Sequence, residues 1–561
     1  METIGRRIKH ELSGRKLVWN VLFYIGHLSL FSYGWYKQAR DARLAALNSL
    51  KYSVWISRGA GLCLGVDGLF IILAVLRNLI DSVRPWFSRI RGIRRIVPWD
   101  ENIWCHRQFA YSILFWTIVH VTAHYVNMIQ VERTQVRREA AWAILFTQPG
   151  GLTGHVMLVV MLLMYTTAHR QIRRECFEAF WFTHQLAFVF LIALYFHAIG
   201  CFVRGALPGR PVECLGYKSW QWCIVGGILY LIERLIRIVR SRRSTKLIAV
   251  LEHPGRTIEL RFSKPSLRYR PGQWIYLNVP DIARFEWHPF TISSAPDDPF
   301  VSIHMRQAGD WTGALASRLG CREPTCPGLA SESSSSSDHT RFSSIDLDKV
   351  VDGPQPSTSG ERRKIDNTAD IATIDILARA ISFPAVAIDG PFGAPAQDVG
   401  SNEVAVLIGA GIGVTPFASI LKDLWHKQRQ RRPGRIGLGS LRRVLFVWIN
   451  RDVENFEWFH RLLRSLEEDQ TDPLFLTVQI YLTRPLDLDA INNIAIHHTA
   501  HVESSYGGIE GQGDCLTHLG THTRFGRPRF DILFASIRTA IESGQYLPGI
   551  ESSLIKTVGG E

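Results

Sequence analysis

Four histidines stand in stretches that otherwise read as built for lipid. WCHRQFAYSILFWTIVHVTAH, from Trp104 to His124, carries His106 and His120, with His124 one turn beyond. FEAFWFTHQLAFVFLIALYFHAIG, from Phe177 to Gly200, carries His184 and His197. Ionisable groups inside spans are costly and usually mark function. A helix turns about 100° and rises about 1.5 Å per residue, so His106 and His120 lie about 40° from a common face and about 21 Å apart along the axis. One imidazole then sits near each membrane surface. His184 and His197 fall about 140° apart on an ideal helix, so a bend, a π-bulge or unequal ring reach is required to aim both at one neighbour. Pairing one histidine from each span at each depth makes two bis-imidazole sites suited to haem iron. His106 and His184 hold the inner one, His120 and His197 the outer. His124, and Arg58 at the outer end of an earlier span, are candidates for a proton donor or polar contact beside the outer site.

A second chemistry lies in VAVLIGAGIGVTPFASILKDLW, from Val404 to Trp425. A strand ends at Gly409, and Gly411 and Gly413 let the backbone approach a ligand closely. Thr415 and Pro416 then open a helix whose free N–H groups and dipole favour a phosphate. The turn departs from the Rossmann G-x-G-x-x-G, because Val414 occupies its sixth position. Arg451 and Arg484 each follow an apolar strand and are candidates to meet a phosphate, whose geometry suits a guanidinium fork.

The elements that must position these groups follow from hydropathy. Six segments read as spans, at about 17–36, 59–80, 104–127, 151–169, 177–200 and 219–238, each near the ~20 residues that cross a hydrocarbon core;. An even number puts both chain ends on one side. Basic residues before the first span, after the second and fourth, and in RIVRSRRSTK after the sixth make that side cytoplasmic by the positive-inside rule;. Lys37, Arg40, Arg43 and Lys51 in the first loop run against it. The net charge of +14 therefore argues for anionic lipid headgroups rather than nucleic acid;. No small-residue cleavage site follows the first apolar run, so that span is expected to remain.

After Lys246 short alternating segments (KLIAVLEH, TIELRF, QWIYLNV) separated by Pro and Gly predict a small antiparallel barrel;. Residues 321–370, rich in Ser, Pro and charge, predict a disordered insertion;. From Glu403 onward apolar strands alternate with helical stretches, which predicts a parallel α/β sheet. Of nine cysteines, Cys201 and Cys214 share an outer loop where a disulfide could form;. Cys321 and Cys326 are expected to be unpaired thiols.

HPFTISSAP (288–296), IHMRQAGDWTGAL (303–315), DGPFGAPAQ (389–397) and the Gly-rich turn, together with RKLVWNVLF, RNLI, the four histidines and FEAFWFTHQ, resemble the NADPH oxidase (NOX) family, a ferric reductase-like transmembrane flavocytochrome b family. The resemblance covers nearly the whole chain and is closest to fungal members. It implies a multi-domain protein with a six-helix transmembrane bundle (1–240), a ferredoxin-reductase-like FAD-binding β-barrel (245–400) and an α/β NADPH-binding domain (401–561). It implies that His288, Pro289, Phe290 and Thr291 contact FAD with His304 and Arg306 nearby, Arg306 toward the pyrophosphate. It implies that electrons pass from cytosolic NADPH through FAD and two haem b groups to oxygen, producing superoxide. The implied partners are membrane lipids, a small membrane subunit, a Rac-type small GTPase and a cytosolic activating adaptor, in the plasma membrane or an endomembrane. A ferric or cupric metalloreductase is the nearest alternative. The family's Cys-Gly-Pro segment does not occur after Cys515, so the last strand and helix of the nucleotide domain are expected to be missing. That keeps open a second alternative, a non-catalytic membrane subunit.

Overall fold

The structure, a computed structural model, describes residues 14–87, 90, 101–134, 138–197, 204–207, 209–211, 213–214, 220–321, 383–429, 440–452, 456–469, 475–484, 519, 523–543 and 556–559. The insertion expected at 321–370, apart from Cys321, lies outside the described residues, as do Cys201 and Cys326. Two compact units divide the chain, Met1–Ile236 and Arg237–Glu561.

The first unit is helical. Its long helices are α1 (Gly14–Arg40), α2 (Tyr52–Leu73), α3 (Arg77–Phe87), α4 (Asn102–Arg133), α5 (Ala141–Thr147), α6 (Pro149–Thr167), α7 (Phe177–His184) and α8 (Ala187–Phe196), and α9 (Trp220–Ser241) begins in it. Among the described residues four stretches are long and apolar enough to cross a membrane: α2, α4, α6 and Phe177–Phe196. Large apolar side chains such as Ile118 and Leu162 face outward along them, as lipid contact requires;.

Two expected boundaries are corrected. The second span runs from Tyr52 to Leu73 rather than over 59–80, and α3 is a separate helix. The reason is a carboxylate. Glu233 of α9, itself buried, accepts the Asn78 backbone N–H at 3.2 Å and its Nδ2 at 2.7 Å, which caps the start of α3;. Arg58 consequently lies inside α2, not at its end. The fifth span is also not one helix: α7 ends at His184 and α8 starts at Ala187. Across the junction Gln185, Leu186 and Phe188 donate to the carbonyls of Phe182, Thr183 and Gln185, three residues back. Such turns wind about 120° per residue, so three of them cut the 140° offset of His184 and His197 to about 80°. This is the bend that the thirteen-residue spacing demands.

α1, α2 and α4 pack closely. A Cβ on Gly34 of α1 would stand 2.9 Å from the Gly59 Cα of α2, and one on Gly59 would stand 2.8 Å from the Phe31 ring. Hydrogen is the side chain that lets these backbones cross.

In the second unit β1 (Lys246–His253), β2 (Thr257–Ser263) and β5 (Val301–Arg306) form one antiparallel sheet in the order β1-β2-β5. β3 (Trp274–Asn278), β4 (His288–Thr291) and β6 (Ala387–Phe392) form a second, ordered β4-β3-β6. Ile258, Leu260, Phe262, Ile275, Leu277 and Ile303 fill one core with α10 (Asp310–Arg318), whose Leu315 joins them. The remaining sheet is parallel: β7 (Val404–Ala410), β8 (Arg443–Asn450), β9 (Leu476–Leu482), β10 (Arg524–Phe525) and β11 (Lys556–Gly559) lie in the order β10-β9-β8-β7-β11. α11 (Thr415–Arg429), α12 (Glu457–Glu468) and α13 (Phe530–Glu542) accompany it. Lys556–Gly559 is the strand that lies parallel beside β7.

Gly59→Ala should destabilise the detergent-purified protein by about 1–3 kcal/mol through overpacking, read as a lower thermal midpoint. Gly26→Ala, whose Cβ meets nothing within 4 Å, should leave the midpoint in place.

Candidate functional site

α4 presents His106 and His120 toward the broken fifth span. The His106 and His184 ring centroids are 6.1 Å apart, and those of His120 and His197 are 6.4 Å apart. With imidazole–metal bonds of about 2.0–2.1 Å and about 1.1 Å from ring centre to nitrogen, two rings on one iron would have centroids about 6.3 Å apart. Both pairs therefore fit a single iron between them. The far side of each ring is also arranged. His106 Nδ1 donates to Ile71 O at 3.0 Å and His120 Nδ1 to Ser57 O at 2.9 Å. A carbonyl oxygen only accepts, so these contacts fix the tautomer that leaves Nε2 free to ligate. Thr153 Oγ1 of α6 stands 3.0 Å from His197 Nδ1. His184 Nδ1 is buried and has no hydrogen-bond partner among the described residues.

Glycines make room for the His120 and His197 rings. A Cβ at Gly61 would meet His120 Cε1 at 3.3 Å, and one at Gly154 would meet His197 Cε1 at 3.3 Å. His124 packs edge-on against His120, with centroids 4.5 Å apart. Arg58 follows Ser57 directly, the residue whose carbonyl holds His120. The structure thus brings His120, His124, His197 and Arg58 together, with Arg58 supplied from within α2.

In the second unit HPFT is strand β4, registered on β3 so that His288 faces Leu277 and Thr291 faces Trp274, with Pro289 and Phe290 between them. The His288 ring stacks on Trp311 at 4.1 Å, and Phe290 lies 6.1 Å from the same indole. An aromatic shelf of this kind suits a planar ligand, and Arg306, exposed at the end of β5, offers a cation for its phosphates;. His304 is different. Its side chain is 8% exposed and stacks on Trp458 at 4.2 Å, with its Nδ1 2.7 Å from Ser293 Oγ. Its Nε2, the His253 Nε2 and the Glu259 carboxylate converge within 4.8 Å. The Arg261 guanidinium already holds both Glu259 oxygens, at 2.9 and 3.1 Å, so this cluster is an ion-paired group in which a further cation meets repulsion;.

At the nucleotide turn a Cβ on Gly409 would stand 3.1 Å from Val414 Cα, and Gly411 has φ +52°. Gly411–Val414, including Gly413, is a single 3₁₀ turn, and Thr415 and Pro416 begin α11. Arg451 and Arg484 follow the ends of neighbouring strands, where Asn450 pairs with Leu482, so both emerge at the same sheet edge. Arg484 also donates to Asp452 at 3.0 Å.

α11 does a second thing. Its Ser419 donates to Ser294 O at 2.6 Å, while Lys422 and His426 each reach Asp298 at 2.9 Å. Ser294 and Asp298 lie just after the HPFT strand. Thr153, Trp311, Trp458 and Asp298 were all missed as parts of the site. The i, i+3, i+7 spacing of Ser419, Lys422 and His426 was the available signal for the last of these.

Burial pushes the His304 imidazole down to about 4, against the opposing charge of Glu259. Burial alone would raise the Glu259 carboxyl, but His253, 3.6 Å away, and the hydrogen-bonded Arg261 guanidinium hold it well below the carboxylate range. Both folded values are depressed. An unfolded histidine takes up a proton below its ordinary 6.5 while the folded one stays neutral, so stability falls as pH drops from 6.5 to about 4;. The Glu259 contribution holds above its ordinary 4.5 and is lost below that. Acid scans of the thermal midpoint should therefore show a loss of about 3 kcal/mol from His304 across that window, and His304→Gln should remove it.

Three family descriptions match this architecture: a ferric reductase like transmembrane component over residues 69–195, an FAD-binding domain over 242–396 and a ferric reductase NAD binding domain over 402–546. The chain is 34% identical over 533 residues to a heavy chain of the superoxide-generating NADPH oxidase of Dictyostelium discoideum, covering 93% of this chain and 88% of the relative. It is 31% identical over 543 residues to NADPH oxidase 1 of Mus musculus, covering 86% and 79%. With NADPH oxidase 5 of Homo sapiens it shares 32% over 528 residues, covering 88% and 61%. Identity at this level along most of the chain has one reading: the chain belongs to the NADPH oxidase family.

Proposed function

We propose that this chain carries electrons across a membrane, from NADPH through FAD and haem to molecular oxygen, and produces superoxide. The observation that carries the reading is the spacing of the two imidazole pairs, each of which fits one iron. His106 with His184 would hold an inner haem b and His120 with His197 an outer one. Six spans place both chain ends in the cytoplasm, and residues 1–240, 245–400 and 401–561 serve as haem, flavin and nucleotide domains, the second closed as a barrel.

Bound cofactors supply the redox chemistry, with hydride from the nicotinamide to the flavin and single electrons through haem. The chain supplies position and charge. Gly409, Gly411, Gly413, Thr415 and Pro416 form the phosphate turn, and Arg451 and Arg484 meet the nucleotide's 2′-phosphate. His288, Pro289, Phe290 and Thr291 lie along the flavin with His304 behind them, and Arg306 meets its pyrophosphate. The Ser419, Lys422 and His426 contacts fix the nucleotide turn's helix to the flavin strand's loop, so the two ligands keep one register. His124 and Arg58 are placed to bind and polarise oxygen beside His120, a role suited to a donor and a cation near developing negative charge. Its proposed partners are membrane lipids, a small membrane subunit, a Rac-type small GTPase and a cytosolic activating adaptor, in the plasma membrane or an endomembrane.

Purified protein given NADPH and FAD should yield a signal that superoxide dismutase abolishes. Ferric chelate reduction that proceeds equally without oxygen, with no dismutase-sensitive signal, would sink the assignment. His106→Leu or His120→Leu should each remove one low-spin haem from the optical spectrum, whereas His124→Leu should keep both and lose superoxide. Asp298→Asn should slow flavin reduction by NADPH in stopped flow by about tenfold to a hundredfold, since misplacement of about an ångström has that effect.

A further inference from the structure

α1, α2 and α4 bring together three polar side chains that the histidine pairs do not use. Asp67 of α2 is 0% exposed and His27 of α1 is 6% exposed. His27 Nε2 lies 2.8 Å from Asp67 Oδ1, and its Nδ1 lies 2.9 Å from Phe23 O. Ser112 of α4 donates to Asp67 Oδ2 at 2.6 Å. Because a carbonyl only accepts, Nδ1 carries a hydrogen, and the contact between Nε2 and Oδ1 holds one more on either atom. The group is then neutral as a whole, with one shared proton and lone pairs left on the carboxylate for a second.

Its ionisable neighbours have committed their hydrogens. Cys63, one turn earlier on α2, donates to His27 O at 3.4 Å, and Tyr165 of α6 donates to Ala110 O. Tyr111, beside Ser112 on α4, is 57% exposed. A buried ion pair is weak as a source of stability, since well-packed apolar residues do as well, and inside a span it is expensive. Placement gives a better account. Ile71 and Ser57, whose carbonyls hold His106 and His120, flank Asp67 on α2, and Ser112 lies between the two histidines on α4. The cluster sits at a depth between the two imidazole pairs.

We propose that His27, Asp67 and Ser112 form a proton-holding site that takes a second proton when an electron resides at a neighbouring histidine-held iron. This rests on the histidine pairs being haem ligands. Reduction of one ferric iron adds one negative charge. A proton from the aqueous phase then forms one O–H bond on Asp67 while His27 keeps its own, taking the cluster from net zero to net +1. Removal of the electron by oxygen returns the proton. In a low-dielectric interior the compensation favours the reduced state, because isolated charge is costly there.

The test is an optical redox titration of the full-length, haem-loaded protein at a series of pH values. Wild-type midpoint potentials should fall as pH rises through the neutral range. That dependence should vanish in Asp67→Asn and weaken in Ser112→Ala. Wild-type potentials that ignore pH, or a slope unchanged in both variants, overturn the proposal. Should Asp67→Asn fail to assemble, infrared difference spectra of the wild type decide, since reduction must raise the carbonyl band of a protonated carboxylic acid. Its absence overturns the proposal equally. A wild-type spectrum without low-spin haem would instead remove the ligand assignment beneath it, and that is seen before any titration begins.

Discussion

The membrane unit depends on a register between two helices. His106 and His120 on α4 donate to Ile71 and Ser57 on α2, and the two donors are as far apart along their helix as the two acceptors are along theirs. Antiparallel helices with a common rise keep both contacts only when they pack without slippage. One slip of a residue would break both and turn the imidazoles away from the fifth span. The glycine contacts of α2, with Phe31 on one side and His120 on the other, fix how close the helices come. Axial geometry, tautomer and helix spacing are therefore one constraint.

Much of this was legible in the residues. The imidazoles stood out because lipid-facing segments rarely carry them, and their spacing gave both the depths and the need for a bend in the fifth span. The nucleotide turn was readable because glycine and the Thr-Pro helix start have local causes. Other features were not legible because their causes are not local. Arg58 looked like the end of a span, since a guanidinium inside a helix is unusual, and only its neighbours on α4 explain its place. The break after Leu73 is set by Glu233, far along the chain. Asp67 was a lone carboxylate in an apolar run, and its partners lie 40 and 45 residues away.

The second unit distributes the same logic over strands. β4 is aligned by β3, and the loop after β4 is held by the helix that follows the glycine turn. Trp311 and Trp458 present indole faces to His288 and His304, so two histidines of the flavin region are oriented by aromatic stacking rather than by hydrogen bonds alone. The second of these indoles comes from α12, which belongs to the parallel-sheet side. The flavin and nucleotide regions thus share side chains in both directions.

One asymmetry remains among the four paired imidazoles. Three have a hydrogen-bond partner at Nδ1, and His184 Nδ1 has none among the described residues. A donated Nδ1 hydrogen makes the opposite nitrogen a stronger electron donor and pins the ring against rotation. His184 lacks both effects, so it would be the loosest ligand of the four;. A metal held between His106 and His184 would therefore have the poorer donor set, and one held between His120 and His197 the richer;.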